Sequence, residues 1–338
     1  MQHPKVTFVI PAYNAAAYLA VAVNSILSQT VDDWELIIVD DCSKDDTLAM
    51  ARDFADSDSR IRVLQTERQS GGAYIPRKLA IINARGEFIA PLDSDDAIEP
   101  GYLQSLLAAV EIEEKMDICF PIMYSWDGHR SGSPYRHDST LYGKVMSGRD
   151  MVKYTLDGWR IHCNGGVIRK DVYLKAFENI NEDDIEVRSY IDEYLSRHLL
   201  FNARNVMVCD VKYLYRENPS SITHTTDLRA FGLLWNNSLL IPFIRSHYAE
   251  HSEERKLMER QNFHCYFDSL RMLGEATLSK EELRKVRSMQ KLSRKNADLT
   301  ILKNNVSHKY LALFLFPHRL GAFIFSRLAP DLSSKKKK

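Results

Sequence analysis

The chain has 338 residues, 45% of them hydrophobic, which is enough for one large α/β domain with an appendage or for two domains. Its 45 basic and 45 acidic residues balance, which argues against a nucleic-acid-binding protein with a basic surface throughout. The five cysteines are scattered without a CxxC spacing, so they indicate a reducing compartment and neither a disulfide framework nor a zinc site. No apolar run approaches the roughly twenty residues of a membrane span, and no signal peptide is expected.

Strand and helix patterns alternate over the first 122 residues. Strands are predicted at residues 6–10, 34–39, 61–64, 87–92 and 117–122, and helices at 15–29, 43–55, 76–86 and 102–113. Asn14 is the predicted N-cap of the first helix, and Ser43 with Asp46 is the predicted capping box of the second. This alternation predicts an α/β fold, a mostly parallel sheet with helices on both faces.

The remainder of the chain changes character twice. Residues 124–148 are polar and predict an irregular connection over the site, followed by a strand at 167–169, a helix at 192–202 and a strand at 206–215. Beyond residue 226 the pattern is helical and charged. We therefore predict a first domain at 1–226, divided near residue 122. A helical region at 227–338 follows, with a candidate membrane-surface segment at 308–338.

Two of the predicted strands end in acidic residues. The run from Phe88 to Leu92 leads into Asp93, Asp95 and Asp96, and the strand at 34–39 leads into Asp40-Asp41. The carboxyl ends of parallel strands share one edge of a sheet, where ligands bind. A cation relieves the repulsion among such carboxylates, and Mn²⁺ or Mg²⁺ held with a substrate diphosphate has the right chemistry. The alternative is that these residues only end strands and cap helices.

Phosphate-binding loops of the common kinds are absent from the sequence. There is no GxGxxG after the first strand and no GxxxxGK[ST] anywhere. Phosphate charge would therefore be met by a metal ion and by basic side chains.

Six segments, in order, resemble those of family-2 glycosyltransferases of the GT-A fold, the type that builds bacterial polysaccharides and cell-surface glycans. The segments are Val9-Ile10-Pro11-Ala12-Tyr13-Asn14, Ser25-Ile26-Leu27-Ser28-Gln29-Thr30, Ile38-Val39-Asp40-Asp41-Cys42-Ser43, Gly86-Glu87-Phe88 with the DxD-type Asp93-Ser94-Asp95-Asp96, Asp192-Glu193-Tyr194, and Tyr213-Leu214-Tyr215-Arg216 with Asn218 and Ser221-Ile222-Thr223. The resemblance covers about residues 5–226 and leaves the tail uncovered. It implies that 1–226 is a catalytic domain, with a nucleotide-sugar half at 1–122 and an acceptor half at 123–226.

This resemblance implies an inverting transfer of a sugar from a nucleotide-sugar, usually a UDP-sugar, to an acceptor hydroxyl of a polysaccharide or lipid-linked glycan. The nucleotide pocket would then be lined by Pro11, Tyr13 and Arg77, and Asp41 would hydrogen-bond the base. No nucleic-acid partner is implied, and the expected location is the cytoplasm, with peripheral contact at the inner face of the cell membrane.

The resemblance also assigns the metal and the base. Asp95 would be the direct ligand of Mn²⁺ or Mg²⁺, while Asp93 and Asp96 would contact the ribose or metal-bound water, which places Asp96 in the metal site. Asp192 matches the general base that takes the acceptor proton. Because adjacent helical residues point about 100° apart, only one of Asp192 and Glu193 is expected to face the site.

The chain departs from the family pattern at two places. Lys78 stands where the family usually has Asn, and the loop at 68–72 lacks the usual NxG, so the contacts of that loop are open. Ile191 replaces the acidic residue that usually precedes the base.

Several polar residues have two interpretations. Arg216 and His224 are either diphosphate contacts or surface residues. Trp159 and His162 are candidate acceptor contacts or structural residues, and Gly165-Gly166 is interpreted as a turn.

Two other functions are compatible with this fold. One is a catalytically inactive membrane-surface protein, but the chain retains Asp41, Asp95 and Asp192, which a degenerate member would have lost. The other is a nucleotidyltransferase, whose glycine-rich basic loop is not apparent.

The tail also has two interpretations. Residues 310–316 and 321–325 are strongly apolar and the chain ends in Lys335 to Lys338. These features indicate either a membrane-surface segment with a polybasic end or core helices that bury Phe314 and Phe325.

Overall fold

The structure is a computed structural model. It describes residues 3–135, 137–156, 158, 165–181, 189–218 and 226–315, apart from the side chains of 309, 312 and 313. The chain forms two compact units, Met1–Asp184 with Leu195–Pro219, and Ile185–Tyr194 with Ser220–Lys338. The functional division predicted at residue 226 stays a prediction.

A ten-stranded mixed sheet forms the centre of the first unit among the described residues. The strands are β1 Val6–Ala12, β2 Trp34–Asp40, β3 Ile61–Gln65, β4 Phe88–Pro91, β5 Ala97–Ile98, β6 Met116–Trp126, β7 Ser131–Pro134, β8 Met146–Ser147, β9 Val167–Arg169 and β10 Asn205–Arg216. Their order is β3-β2-β1-β4-β9-β6-β10-β5, with β7 on β6 and β8 on β10. The predicted α/β fold is therefore confirmed.

The long strands pair in parallel on both sides of β9, whereas the short strands β5, β7 and β8 pair antiparallel to β10 or β6. β1 is parallel to β2 and to β4, and β6 is parallel to β10. β9 is antiparallel to both β4 and β6, so it joins two parallel halves. Every residue of β1 and β2 is buried, as expected for strands covered on both faces.

Helices connect these strands and end where the chain turns back to the sheet. They are α1 Leu19–Leu27, α2 Thr47–Ser57, α3 Tyr74–Asn83, α4 Tyr102–Glu111, α5 Gly148–Met151 and α6 Lys170–Glu178. The next helix, α7 Ile191–Asn202, begins in the second unit and continues into the first.

The predicted helix caps at Asn14 and Ser43 are wrong. Asn14 has a φ of 48°, and its side-chain oxygen accepts a hydrogen bond from Lys44 N at 2.8 Å. Its own N–H donates to the Ser43 hydroxyl at 3.0 Å. These residues join the loops after β1 and β2, so they are not available as caps. Asp45 instead accepts from Thr47 N in the first turn of α2.

The strand that the sequence predicts at 117–122 is longer in the structure, where β6 spans Met116–Trp126. β6 continues to Trp126 because its outer residues pair with the end of β10, where Tyr124 lies opposite Leu214. No local pattern reveals this extension, since its pairing partner is a strand more than eighty residues later.

The second unit is helical after Thr226 in its described part. Its helices are α8 Gly232–His247, α9 Glu253–Met272, α10 Lys280–Lys295, α11 Leu299–Asn305 and α12 His308–Leu315. Buried polar side chains link the first three of them: Gln261 donates to Asn237, Ser293 to Asn262 and Gln290 to Ser269. Over the described residues, no helix combines the length and apolarity that crossing a bilayer requires.

The start of the tail packs into this unit. Phe314 is fully buried, with its ring centroid 5.3 Å from that of Phe263 and 4.8 Å from that of Tyr266. Leu311 belongs to the same cluster. For these positions the structure corrects the membrane interpretation in favour of the core-helix alternative. Residues 316–338, which include Phe325 and the terminal lysines, lie outside the described residues.

We expect Phe314→Ala to destabilise the protein by about 3–5 kcal/mol, because a buried aromatic ring leaves a cavity in a packed cluster. Urea unfolding followed by circular dichroism measures the change. Leu315→Ala is the matched control, since Leu315 is 46% exposed and adjacent in sequence. Equal, small effects at both positions would contradict the packing of the tail.

Candidate active site

The acidic ends of two strands meet at one edge of the sheet, as the sequence predicted. Ala12 at the end of β1 lies opposite Asp40 at the end of β2. On the other side of β1, Val9 lies opposite Pro91 at the end of β4. Asp41 and Asp93 therefore follow parallel strands that flank β1.

Asp41 is buried and holds the loop after β3. Its carboxylate accepts hydrogen bonds from the Thr66 hydroxyl at 2.8 Å, from Ser70 N at 3.0 Å and from the Ser70 hydroxyl at 2.8 Å. These donors occupy most of its acceptor capacity. Asp41 thus fixes the position of a loop beside the strand end, and its direct contact with a base stays a prediction.

The residues after β1 provide an exposed ring. Pro11 is buried within β1, while Tyr13 is 40% exposed. The loop that carries Tyr13 is fixed to the neighbouring loop by the contacts of Asn14. A planar ligand therefore has access to the Tyr13 ring.

Arg77 and Asp93 form an ion pair. The Arg77 guanidinium, on α3, donates from Nη2 to Asp93 Oδ1 at 2.8 Å, and its side chain is almost fully buried. Asp93 keeps about a third of its side chain exposed. A buried cation with a partly exposed carboxylate beside it suits a ligand that carries both phosphate and hydroxyl groups.

Asp95 and Asp96 differ in their surroundings although they are adjacent. Asp95 is half-buried, and its Oδ2 accepts from the Asn218 amide at 3.0 Å. Asp96 is 1% exposed. Its Oδ2 accepts from the Tyr213 hydroxyl at 2.7 Å and its Oδ1 from Arg216 N at 2.8 Å. Each oxygen of Asp96 therefore accepts one hydrogen bond from the protein, so part of its acceptor capacity is used before any cation binds.

The electrostatics of this cluster are set by burial. Burial raises the pKa of Asp96 well above its ordinary range, and the charges of Asp93 and Asp95 raise it further. Burial, followed by the charges of Asp96 and Asp93, also raises the pKa of Tyr213. A cation placed beside Asp93 and Asp95 would reduce this repulsion.

Arg216 closes the site at the end of β10. Its Nε donates to the backbone oxygen of Asp95 at 2.7 Å. The guanidinium lies 4.2 Å from the Trp126 ring centroid and 5.2 Å from that of Tyr18. Arg216 is therefore a fixed cation of the cluster and not a freely solvated surface residue.

The Gly165-Gly166 pair is a tight turn, as interpreted from the sequence. Both residues have positive φ values, 76° and 80°, and Gly166 N donates to the Tyr102 hydroxyl at 2.7 Å. A Cβ on Gly165 would lie 2.6 Å from the Tyr213 ring. The turn supports the tyrosine that holds Asp96.

The donor groups near the acidic cluster limit how a metal ion could be held. Across the described ranges, no group of three or more His, Cys, Asp and Glu side chains is arranged to hold an ion. Mg²⁺ and Mn²⁺ need fewer protein ligands when a diphosphate supplies oxygens. Asp95, which keeps a half-exposed carboxylate, is compatible with that arrangement.

Asp192 lies in the second unit, in the first turn of α7, and is half-buried. Ser189 and Tyr190, which precede the helix, belong to the same unit. Glu193 is also half-buried, and its N–H donates to Tyr190 O at 3.1 Å. The choice between these two carboxylates as the base stays a prediction. Trp159, His162 and His224 lie outside the described residues.

Three contacts of the site were not expected from the sequence. Ser70 binds Asp41, Asn218 binds Asp95, and Tyr213 binds Asp96. Tyr213 and Asn218 belong to the last of the six segments that resemble the family, so the sequence did mark them as candidate site residues. Nothing in the sequence distinguishes Ser70 from other loop serines.

Comparison with known proteins places these residues in context. The sequence model described as Glycosyl transferase family 2 matches residues 7–174. Glycosyltransferase GlyG of Streptococcus pneumoniae is 27% identical over 242 residues, which cover 70% of this chain and 78% of that protein. The poly(ribitol-phosphate) beta-N-acetylglucosaminyltransferase TarS of Staphylococcus aureus is 27% identical over 213 residues, which cover 62% of this chain but only 35% of that protein.

Solved structures share the fold over nearly the whole chain. The crystal structure of S. aureus TarS 1-349 in complex with UDP matches with a TM-score of 0.70 and 20% identity, covering 98% of this chain and 92% of that one. The mannosyltransferase PcManGT from Pyrobaculum calidifontis, in complex with GDP-Man and Mn²⁺, matches with a TM-score of 0.56 and 13% identity, covering 97% and 88%.

We expect Tyr213→Phe to lower the free energy of unfolding by about 1–3 kcal/mol, because a buried carboxylate loses a donor. The loss should be larger near pH 8 than near pH 5. Without the hydroxyl, the folded-state pKa of Asp96 rises further, and a raised pKa lowers stability as pH rises through it. Chemical unfolding at both pH values measures this.

The control is Tyr215→Phe, two residues along the same strand, where the ring stacks on Tyr135. If Tyr213→Phe lowers the free energy of unfolding equally at both pH values, and by no more than the control does, the hydroxyl does not stabilise ionised Asp96.

Proposed function

Because this chain belongs to glycosyl transferase family 2, we propose that it transfers a sugar from a UDP-sugar to an acceptor hydroxyl, with inversion at the anomeric carbon and with a divalent metal. The acceptor is a cell-surface polysaccharide or a lipid-linked glycan. The observation that carries this proposal is the meeting of Asp41 and the Asp93–Asp96 cluster at one sheet edge, with Arg77 between them in sequence and paired to Asp93.

The nucleotide would occupy the edge next to β1. Tyr13 offers a ring for contact with the base, and Asp41 keeps the loop with Ser70 in place to define the pocket. Arg77 supplies a buried positive charge. The neighbouring TarS structures contain UDP or UDP-GlcNAc, which supports a UDP-sugar and makes UDP-N-acetylglucosamine the first donor to test.

The carboxylates next to the pocket would hold the metal. Asp95 is the proposed direct ligand, and Asp93 is the proposed ribose or water contact. Asp96, which accepts hydrogen bonds from Tyr213 and Arg216, is the proposed second carboxylate of the metal site, where it would contact metal-bound water. When bound, the metal would neutralise charge on the departing diphosphate. The Mn²⁺ in the PcManGT structure supports this choice of ion.

The proposed reaction breaks the bond between the anomeric carbon and the diphosphate oxygen, and the electron pair leaves with UDP. The acceptor oxygen forms the new bond on the opposite side of that carbon. Asp192 takes the proton from this hydroxyl as it attacks. Arg77 and Arg216 favour the charge that develops on the leaving group.

Membrane contact is proposed only for residues 316–338, since Leu311 and Phe314 are buried in the second unit. Lys335 to Lys338 would attract an anionic surface at the inner face of the cell membrane, by about 1 kcal/mol for each lysine. An inactive protein of the same fold is the alternative to the enzyme, and the experiments below distinguish them.

A thermal-shift screen tests the donor class. The panel contains UDP-N-acetylglucosamine, UDP-glucose and GDP-mannose, each with Mn²⁺ and with EDTA. We expect the UDP-sugars to raise the Tm only when Mn²⁺ is present. Stabilisation by none of the panel would favour the inactive alternative.

We expect Asp95→Ala to abolish the metal requirement of UDP binding together with most of the affinity, because this carboxylate joins the ion to the protein. Calorimetry with UDP in Mn²⁺ and in EDTA measures it. Asp32→Ala is the control, since its side chain is 90% exposed and paired with Arg60 away from the cluster. Equal UDP affinity for wild type and Asp95→Ala under both conditions would refute the metal assignment.

We expect Asp192→Asn to lower turnover about a hundred-fold or more, the scale of a lost general base, while UDP affinity stays near that of wild type. The readout is UDP release from UDP-N-acetylglucosamine with Mn²⁺. Glu193→Gln is the matched variant on the same helix turn. If Glu193→Gln is inactive and Asp192→Asn is not, the base is Glu193.

A further inference from the structure

We propose that Asn236, on α8 of the second unit, is a positioning residue for the catalytic carboxylate at the start of α7. The inference rests on the proposed function, because the carboxylate that it positions is the proposed base Asp192. Asn236 does not belong to the segments that resemble the family, and it lies 44 positions from Asp192 in sequence.

The turn that leads into α7 has a strained backbone. Tyr190 has a φ of 58°, a left-handed conformation that costs a non-glycine residue about 1–2 kcal/mol. Such a conformation persists only where the surrounding structure enforces it. Asp192 follows two residues later, in the first turn of the helix, so the direction in which α7 starts depends on this turn.

Asn236 binds both carbonyl groups of the turn. Its Nδ2 donates to Tyr190 O at 2.6 Å and to Ser189 O at 3.2 Å. Tyr190 O also accepts from Glu193 N at 3.1 Å, which is a first-turn hydrogen bond of α7. One side-chain amide therefore holds two consecutive carbonyls and, through the second, the beginning of the helix.

The burial of Asn236 indicates a specific role. The residue is completely buried, and within the described structure its Oδ1 accepts no hydrogen bond. Burying an unsatisfied amide oxygen is unfavourable, whereas an apolar residue of similar size would avoid that cost. The two hydrogen bonds that Asn236 donates to Ser189 and Tyr190 therefore account for an asparagine at this buried position.

Two further contacts from the same segment fix the turn. The Ser189 hydroxyl donates to Arg229 O at 2.6 Å. At Gly232, the first residue of α8, a Cβ would overlap the Ser189 hydroxyl and carbonyl oxygens. Only glycine allows α8 to start this close to the turn. Residues 229–236 therefore hold residues 189–190 by three hydrogen bonds, two from Asn236 and one to Arg229, and by the close approach of Gly232.

The mechanical consequence is that the C-terminal helices set the orientation of the base. A displacement of about 1 Å of a catalytic group can reduce the rate about a hundred-fold. Loss of the Asn236 contacts would release the Tyr190 turn and let the first turn of α7 fray. The proposed nucleotide pocket is built from other elements, so its affinity for UDP should not change.

Asn236→Leu is the test, because it removes both N–H donors and keeps the number and branching of the side-chain heavy atoms. Asn237→Leu is the matched control: Asn237 is equally buried in the same helix turn, and its Oδ1 accepts from Gln261 on α9, away from the Ser189–Tyr190 turn. Both variants should lose similar stability, so a difference between them reports on the turn and not on folding.

Two measurements on the full chain decide the question. Hydrogen exchange of the peptide spanning residues 189–200 should increase in Asn236→Leu and remain near wild type in Asn237→Leu. For UDP release from UDP-N-acetylglucosamine with Mn²⁺, kcat should fall about ten-fold or more in Asn236→Leu, with KM for that donor and calorimetric UDP affinity within about two-fold of wild type. The control should keep its kcat.

Equal kcat losses in the two variants, or unchanged exchange at residues 189–200 in Asn236→Leu, would overturn the proposal. The exchange measurement needs no substrate, so it remains decisive if UDP-N-acetylglucosamine is not the donor. If Asp192→Asn is fully active while exchange increases in Asn236→Leu, the contacts of Asn236 do fix the turn, and the assignment of Asp192 as the base is wrong.

Discussion

The site depends on one buried carboxylate. Asp96 lies out of contact with solvent between the end of β4 and the strand β10, where Tyr213 and the backbone of Arg216 donate to its two oxygens. Without these donors, burying a third acid beside two others would be strongly unfavourable. With them, the loop after β4 is fixed, and Asp93 and Asp95 remain half-exposed beside it.

Asp41 uses the same chemistry at the neighbouring strand end. Its carboxylate is saturated by Thr66 and Ser70, and so it organises a loop before any ligand arrives. In both places a carboxylate turned inward fixes the backbone, while adjacent groups stay available. Preorganisation of this kind reduces the cost of ordering loops when a ligand binds.

Local sequence patterns predict the strands, because runs of apolar residues mark buried strands. They also predict that the acidic strand ends share one edge of the sheet, because parallel strands run in the same direction. They did not predict the partners of the acids, since Ser70 lies 29 positions from Asp41 and Asn218 lies 123 positions from Asp95. The two wrong cap predictions have the same cause, a partner that is distant in sequence. Asn14 and Ser43 have the composition of caps, but they meet each other across two loops, a tertiary contact that no local pattern contains.

The buried polar pairs between α8, α9 and α10 have a consequence for how this region can vary in evolution. Moving α9 by one turn, about 5.4 Å, would separate Gln261 from Asn237 and Ser269 from Gln290, and each would then be buried without its partner. Purely apolar helices could repack after such a slide, but these cannot. Inserted or deleted residues should therefore accumulate in the connections at 248–252 and 273–279, while the lengths of the three helices between their polar pairs stay constant.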